Sequence, residues 1–389
     1  MADSGPDEVV LTPERIAEGI AKTTAELALE PDNVHLLTAR GVMYGMSGRD
    51  AEAVADFTRA IAAGDNSAET YFNRGSCYAA LGKHGHALAD YSGAIQRGMQ
   101  AASAYMGRGV CYERRGDMDR AIADYQRALD LSPGNADVEK NLVRALDKAG
   151  RSTEAISRMD QAVAGNPEAA SAQLVRGALK LKDGQLDAAI ADFTEAIALD
   201  PSSGKAHNLR GLCHSESGRF AEALSDYNKA AELGIDTADL YGNRAVALHH
   251  TGDAAGALRD FERAIERKPD NPTAYNNRGN VRADAGNLDG AIEDATRAIE
   301  LQPEWVAAYK NRANHYRAKG KLLKAIADYN AAIALDPEYA DAYLGRGGTY
   351  GQCGDVKRAN QDFRKVLELE PDGPNADEAR KGLAISGER

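Results

Sequence analysis

Ten glycines punctuate this chain at a fixed interval. Gly48, Gly82, Gly116, Gly150, Gly184, Gly218, Gly252, Gly286, Gly320 and Gly354 are evenly spaced, and an alanine follows each at the same distance, from Ala53 to Ala359. Such a period without a slip means that one supersecondary unit is copied and stacked. The copies fill residues 34–373, leaving only 1–33 before them and 374–389 after, and no insertion leaves room for a second domain inside the array. Without the repeat, 389 residues would suggest two or three ordinary domains.

Each period reads as two helices. In Tyr275 to Pro303 the first ends near Gly286, because glycine after a periodic stretch is a stop signal. The second places Leu288, Ala291, Ile292, Ala295, Ala298 and Ile299 on one helical face, and Pro303 prevents its continuation. Three repeats lack that proline and carry Gly64, Gly98 or Gly234 one position earlier, a left-handed stop. Position 8 of the repeat is Gly in seven copies and Ala in two, and position 20 is always Ala. Helices approach closely only where side chains are small. Fifteen of the 16 Tyr fall at positions 4, 11 or 24, and Phe57, Phe193, Phe261 and Phe363 share position 24, so these rings are expected to fill the core rather than to stack on a ligand.

The pattern aromatic-x-x-x-Gly-x-x-Tyr…Gly…Ala…Phe/Tyr-x-x-Ala…Pro within one period resembles the tetratricopeptide repeat, over about 340 of the 389 residues. That resemblance implies an all-α fold, an α-solenoid in which antiparallel helix pairs build a right-handed superhelix. It also implies that the first helix of each pair, the A helix, lines a concave groove for a peptide or partner protein. The expected organisation is an acidic segment over residues 1–33 with one flanking helix at about 13–30, ten repeats over 34–373, and a capping helix within 374–389. Thr12 is the expected N-cap of the flanking helix, with Pro13 at its first position. Ala379 and Leu383 are the expected contacts of the terminal cap, which a solenoid needs to cover its last apolar face.

Position 7 is Arg and position 23 is Asp in nine repeats each, and the same repeat is the exception in both rows, with Leu142 and Arg158. Joint loss points to a structural Arg–Asp pair between the two helices rather than to a cationic binding row. As exposed pairs they would contribute about 0–1 kcal/mol each. That exceptional fourth repeat also has Glu139, Val143 and Met159 where rings and Gly are usual, so the middle of the chain is expected to be less stable, or bent.

In the family, positions 2, 5, 6, 9, 12 and 13 of the A helix face the groove. In repeats 1 to 3 these include Val42, Met46, Phe72 and Met106, an apolar surface, and Leu174, Val175 and Leu209 continue it in repeats 5 and 6. Repeats 7 to 9 change character. Asn243, Asn277 and Asn311 share position 6, and Asn276, Asn280, Lys310, Asn314 and Arg317 lie on the same face. Asn offers a donor and an acceptor, so a ladder of Asn can hold an extended peptide by its backbone. Similar ladders occur in the long tetratricopeptide superhelix of sugar-transferring enzymes that modify Ser and Thr. The family's chaperone-tail clamp is incomplete here, because Gly345 stands where it needs Asn.

Other chemistry finds little support. A net charge of −12 leaves no basic face for a nucleic-acid backbone. No apolar run is long enough for membrane insertion. Gly345 to Gly351 resembles a phosphate loop, but its register places it inside an A helix. His84 with His86, and His249 with His250, lack metal-ligand spacing, and Cys77, Cys111 and Cys213 share position 10, a packing position. No nucleophile and base form a set. The expectation is a cytoplasmic, non-catalytic scaffold or adaptor that holds a protein or extended peptide, without metal or cofactor. Its alternatives are a homo-oligomer assembled through the N-terminal helix, or a non-catalytic subunit of an enzyme complex. Residues 1–33 hold half of the net negative charge and are a candidate to dock in a groove of the same or another copy.

Overall fold

A computed structural model describes residues 12–385. Among them every regular element is an α-helix. The N-terminal helix (Pro13–Leu29) is followed by ten helix pairs and a C-terminal helix (Ala376–Ile385). The chain is thus all-α, a solenoid of stacked helix pairs. It divides into two compact units, Met1–Gly165 and Asn166–Arg389, so the division falls directly after the second helix of repeat 4 (Ser152–Gly165).

Within each unit the repeat chemistry determines where helices stop and how closely they pack. The turn glycines all have positive φ, for example 82° at Gly286, a conformation that costs a side chain but not Gly. The glycine stops at Gly64, Gly98 and Gly234 are left-handed too, with φ of 103°, 92° and 89°. Thr12 accepts the Arg15 N–H at 3.4 Å and Pro13 opens the N-terminal helix. At the other end Ala379 is fully buried and Leu383 packs beside Phe363 and Val366.

Position 8 meets position 24 face to face. A Cβ added at Gly41, Gly109, Gly177, Gly211 or Gly347 would lie 2.8–2.9 Å from the ring of Phe57, Tyr125, Phe193, Tyr227 or Phe363. Those rings are the largest fully or nearly fully buried side chains of their repeats. Burying one such side chain contributes about 1.5–3 kcal/mol. The tyrosines at positions 4 and 11 do something else. Tyr71 and Tyr78 flank the Arg74 guanidinium at 5.5 and 5.8 Å, and Tyr343 and Tyr350 flank Arg346 at 5.4 and 5.9 Å. Their rings wall the ladder arginines rather than fill the gap between helices, a cation–π arrangement.

The Arg–Asp pairs form, and they are not exposed. In all nine repeats the position-7 Arg donates from Nε and Nη2 to the two carboxylate oxygens of its Asp at 2.6–3.0 Å. The nine Asp residues are only 3–8 % exposed, which corrects the expectation of surface pairs. The third guanidinium nitrogen of Arg40, Arg74, Arg108, Arg210, Arg244, Arg312 and Arg346 donates to Thr24 of the N-terminal helix and to Thr58, Ser92, Thr194, Asn228, Thr296 and Asn330 of the preceding repeats, respectively. Each of these arginines therefore joins three helices. In repeat 4 position 7 is Leu142, and Arg158 at position 23 faces Glu139 at position 4, 3.4 Å away. The junction of repeats 3 and 4 is held instead by Glu113, which accepts from Arg144, Lys148 and the Tyr125 hydroxyl at 2.9–3.0 Å. Those bonds, from Arg144 first, hold its carboxyl down at about 2.

Candidate peptide-binding groove

The A helices of repeats 7, 8 and 9 are Ala238–His250, Pro272–Asp284 and Val306–Ala318, all in the second unit. Their register places Asn243, Asn277 and Asn311 at one height, each half-buried. Asn276 departs from the expectation of a groove contact. It is 4 % exposed, accepts from Asn311 Nδ2 at 2.9 Å and donates to Asn277 Oδ1 at 3.3 Å. Repeat stacking turns position 5 of repeat 8 toward the next A helix, so Asn276 positions its neighbours instead of offering itself. The Asn243 and Asn280 side chains are half-buried and bond to no group among the described residues.

Lys310, Asn314 and Arg317 come together with Gly345 and Gly348, which the sequence had marked, and with residues it had not joined to them. They line a pocket of about 520 Å³ with Asp341, Leu344, Gly345, Gly348, Phe363, Asn375, Glu378, Lys381 and Gly382. Three cations face two carboxylates there, a local positive excess on an acidic chain. Lys310 lies 3.5 Å from Asp341, which also accepts from Asn375 at 2.8 Å. Asn314 accepts from the Tyr329 hydroxyl at 2.5 Å, so its amide N–H groups remain for other partners. Gly345 makes that bond fit, because a Cβ there would be 2.5 Å from the Tyr329 ring. Gly348 lets Arg317 lie across its helix, 3.1 Å from where a Cβ would be. The glycines of this stretch thus serve packing within the A helix Ala340–Gln352, not a phosphate loop.

In the first unit the apolar groove is partly consumed by packing. Phe72 packs on Tyr91 with ring centroids 5.8 Å apart and belongs to a core with Ala87 and Cys111. Its ring is half-buried, which corrects its reading as an open contact. Tyr91 reaches it because Gly107 leaves space, a Cβ there lying 2.7 Å from the Tyr91 ring. Met106 is half-buried. Val42 and Met46 remain 39 % and 53 % exposed, and Val175 in the second unit is 41 % exposed.

The cysteines are packing residues: Cys77, Cys111 and Cys213 are buried, and burial pushes the Cys77 thiol up to about 12. Among the described residues no group of three His, Cys, Asp or Glu is placed to hold a metal ion, and no helix is long and apolar enough to cross a membrane.

Tetratricopeptide-repeat models match residues 47–102, 72–136, 174–238, 215–261 and 244–304, with related repeat models over 112–179, 313–354 and 340–372. The chain belongs to the tetratricopeptide-repeat family. Among solved structures it is similar to the Cut9–Hcn1 hetero-tetramer of the APC/C, at 16% identity over 96% of this chain and 87% of that one, with a TM-score of 0.53. Yeast Tom70 is similar at 15% identity over 91% and 95%, TM-score 0.42, and MamA at 23% identity over 45% and 95%, TM-score 0.40. These likenesses concern the fold. No curated protein matches the chain.

Proposed function

We propose that the chain is a scaffold or adaptor that holds an extended segment of a partner protein along the A helices of repeats 7 to 9. The observation that carries this reading is the Asn row. Asn243, Asn277 and Asn311 recur at one register position, and Asn311 and Asn277 are held in place through the buried Asn276. A buried amide that does nothing but fix its neighbours is a cost unless the neighbours have a task. Amides fixed one repeat apart, at helix spacings of about 8–10 Å, can pair with peptide groups about three residues apart on an extended strand, which makes recognition tolerant of side-chain identity.

The pocket at Lys310, Asn314 and Arg317 lies at one end of this row and would take a polar side chain of the same segment. Catalysis has no part in the proposal. The test is titration of extended peptides against the wild type and an Asn277→Ala, Asn311→Ala variant. Loss of at least tenfold in affinity, in a variant that stays folded while losing about 1–3 kcal/mol from the unpaired Asn276 amide, supports the reading. Equal affinity removes it.

A further inference from the structure

Asn276 stands at position 5 of repeat 8 and Asn311 at position 6 of repeat 9, 35 residues on, and the Asn311 amide donates to Asn276 at 2.9 Å across the two A helices. Asn fills the same two positions at one other junction. Asn208 is at position 5 of repeat 6, on the A helix Gly204–Glu216, and Asn243 is at position 6 of repeat 7, with the same spacing. All four residues belong to the second unit.

This other junction is open. Asn208 Oδ1 is buried and accepts from no group, and the Asn243 amide bonds to no group among the described residues. The A helices of repeats 6 and 7 touch each other directly, as those of repeats 8 and 9 do, so the difference lies in the side chains. Asn276 donates to Asn277, the residue after it, and that bond sets the plane of its amide. Leu209 follows Asn208 and offers no acceptor on its side chain. Neither member of the open pair is held in the orientation that closes the bond.

A buried acceptor left without a donor is unfavourable, and native folds rarely keep one. Asn243 can supply the donor. Its amide carries two N–H groups and one oxygen. One N–H given to Asn208 leaves the other N–H and the oxygen for a ligand, the same complement that Asn311 keeps after bonding to Asn276.

We propose that the peptide track begins at repeat 6, with Asn208 as a positioning residue, and that a bound segment closes the Asn208–Asn243 bond. A peptide group of the segment pairs with the Asn243 oxygen and one of its N–H groups, and turns the amide so that the second N–H meets Asn208. Repeat 9 presents an amide fixed beforehand, and repeat 7 presents one that the ligand fixes. This rests on the function proposed for repeats 7 to 9 and extends it by one repeat.

The probe is the tightest-binding peptide selected on the wild type from a displayed library of random extended peptides, labelled with fluorescein and titrated against full-length variants. Asn208→Leu removes the acceptor and keeps nearly the same shape. Because that acceptor is unpaired in the free chain, the variant should unfold in urea at the wild-type midpoint or above it, yet bind the peptide about fivefold more weakly, the loss of one hydrogen bond. Asn208→Asp keeps the acceptor and should bind within about twofold of the wild type. A merely structural Asn208 lowers the urea midpoint of Asn208→Leu, and that result overturns the proposal. Wild-type affinity in Asn208→Leu, or equal weakening in Asn208→Leu and Asn208→Asp, also overturns it. If Asn277→Ala, Asn311→Ala weakens binding while Asn208→Leu does not, this proposal alone fails. If neither variant weakens binding, or the wild type retains no peptide, the wider reading fails with it.

Discussion

Arg312 and Asp328, on the two helices of one pair, meet through two parallel hydrogen bonds of 2.7 and 2.8 Å, and Arg312 then reaches Thr296 of the repeat before at 3.1 Å. Bonding to Asp328 pushes the guanidinium further up despite its desolvation. The pair is sealed by neighbours and fixes one repeat on the next.

Removing one partner from such a pair leaves the other buried and unpaired. Asp328→Ala should therefore cost about 3–5 kcal/mol, far above a surface pair. Arg158→Ala in repeat 4, at the same register but in a half-exposed pair with Glu139, should cost about 1 kcal/mol or less. Urea unfolding of both variants checks the contrast.

Gly345 is required by Tyr329. Gly345→Ala should displace the ring and destabilise the second unit by about 1–3 kcal/mol. Tyr329→Phe removes only the hydroxyl bond to Asn314 and should cost about 1 kcal/mol. Thermal unfolding distinguishes the two, and a larger loss in Tyr329→Phe would contradict this view of the packing.

Acid should weaken the two units for different reasons. Glu113 titrates at about 2 in the fold against 4.5 unfolded, so its contribution is complete above pH 4.5 and is lost as pH falls toward 2. Glu113→Gln should remove that dependence from the first unit. His315 is 6 % exposed with Nε2 buried and unpartnered, and burial pushes its pKa below 6.5. The unfolded chain then binds the proton more readily, so the second unit loses stability as pH falls below 6.5 and is unaffected above it. His315→Leu should flatten that slope, as read by unfolding curves across pH 4–8.

The helix pairs, their stops and the close contact of position 8 with position 24 were legible because they recur in every copy, and each recurrence has one physical cause. The partners of Arg and Asp were legible from their joint absence in repeat 4. Their burial was not, since it depends on whatever closes over the pair from positions 4 and 11, which is a tyrosine in some repeats and Gln173 with Lys180, or His207 with His214, in others. The row of Thr24, Thr58, Ser92, Thr194, Asn228, Thr296 and Asn330 recurs at the same period and was open to detection, but short polar residues on a helix carry no signal until a donor is seen facing them. In the groove, the register of Asn243, Asn277 and Asn311 followed from the period. The burial of Asn276 and the packing of Phe72 did not, because both depend on how one A helix turns against the next. Asp341, Asn375 and Lys381 join the pocket from later elements, and spacing alone does not bring them to Lys310.

A two-unit chain should exchange hydrogen in two blocks. Amides of Ser152–Gly165, the last helix of the first unit, should exchange faster than those of Leu288–Leu301, which has its ladder Asp294 and a full set of packed alanines. Uniform protection across all repeats would contradict the reading of repeat 4 as the weak point.

The claim that repeats 7 to 9 hold an extended peptide by its backbone is tested most directly by selection from a displayed library of random extended peptides, followed by affinity measurement against the wild type and the Asn277→Ala, Asn311→Ala variant. Backbone recognition predicts binders without a strict consensus whose affinity falls at least tenfold on the variant. Binders that share a fixed motif and bind the variant as tightly as the wild type would contradict it.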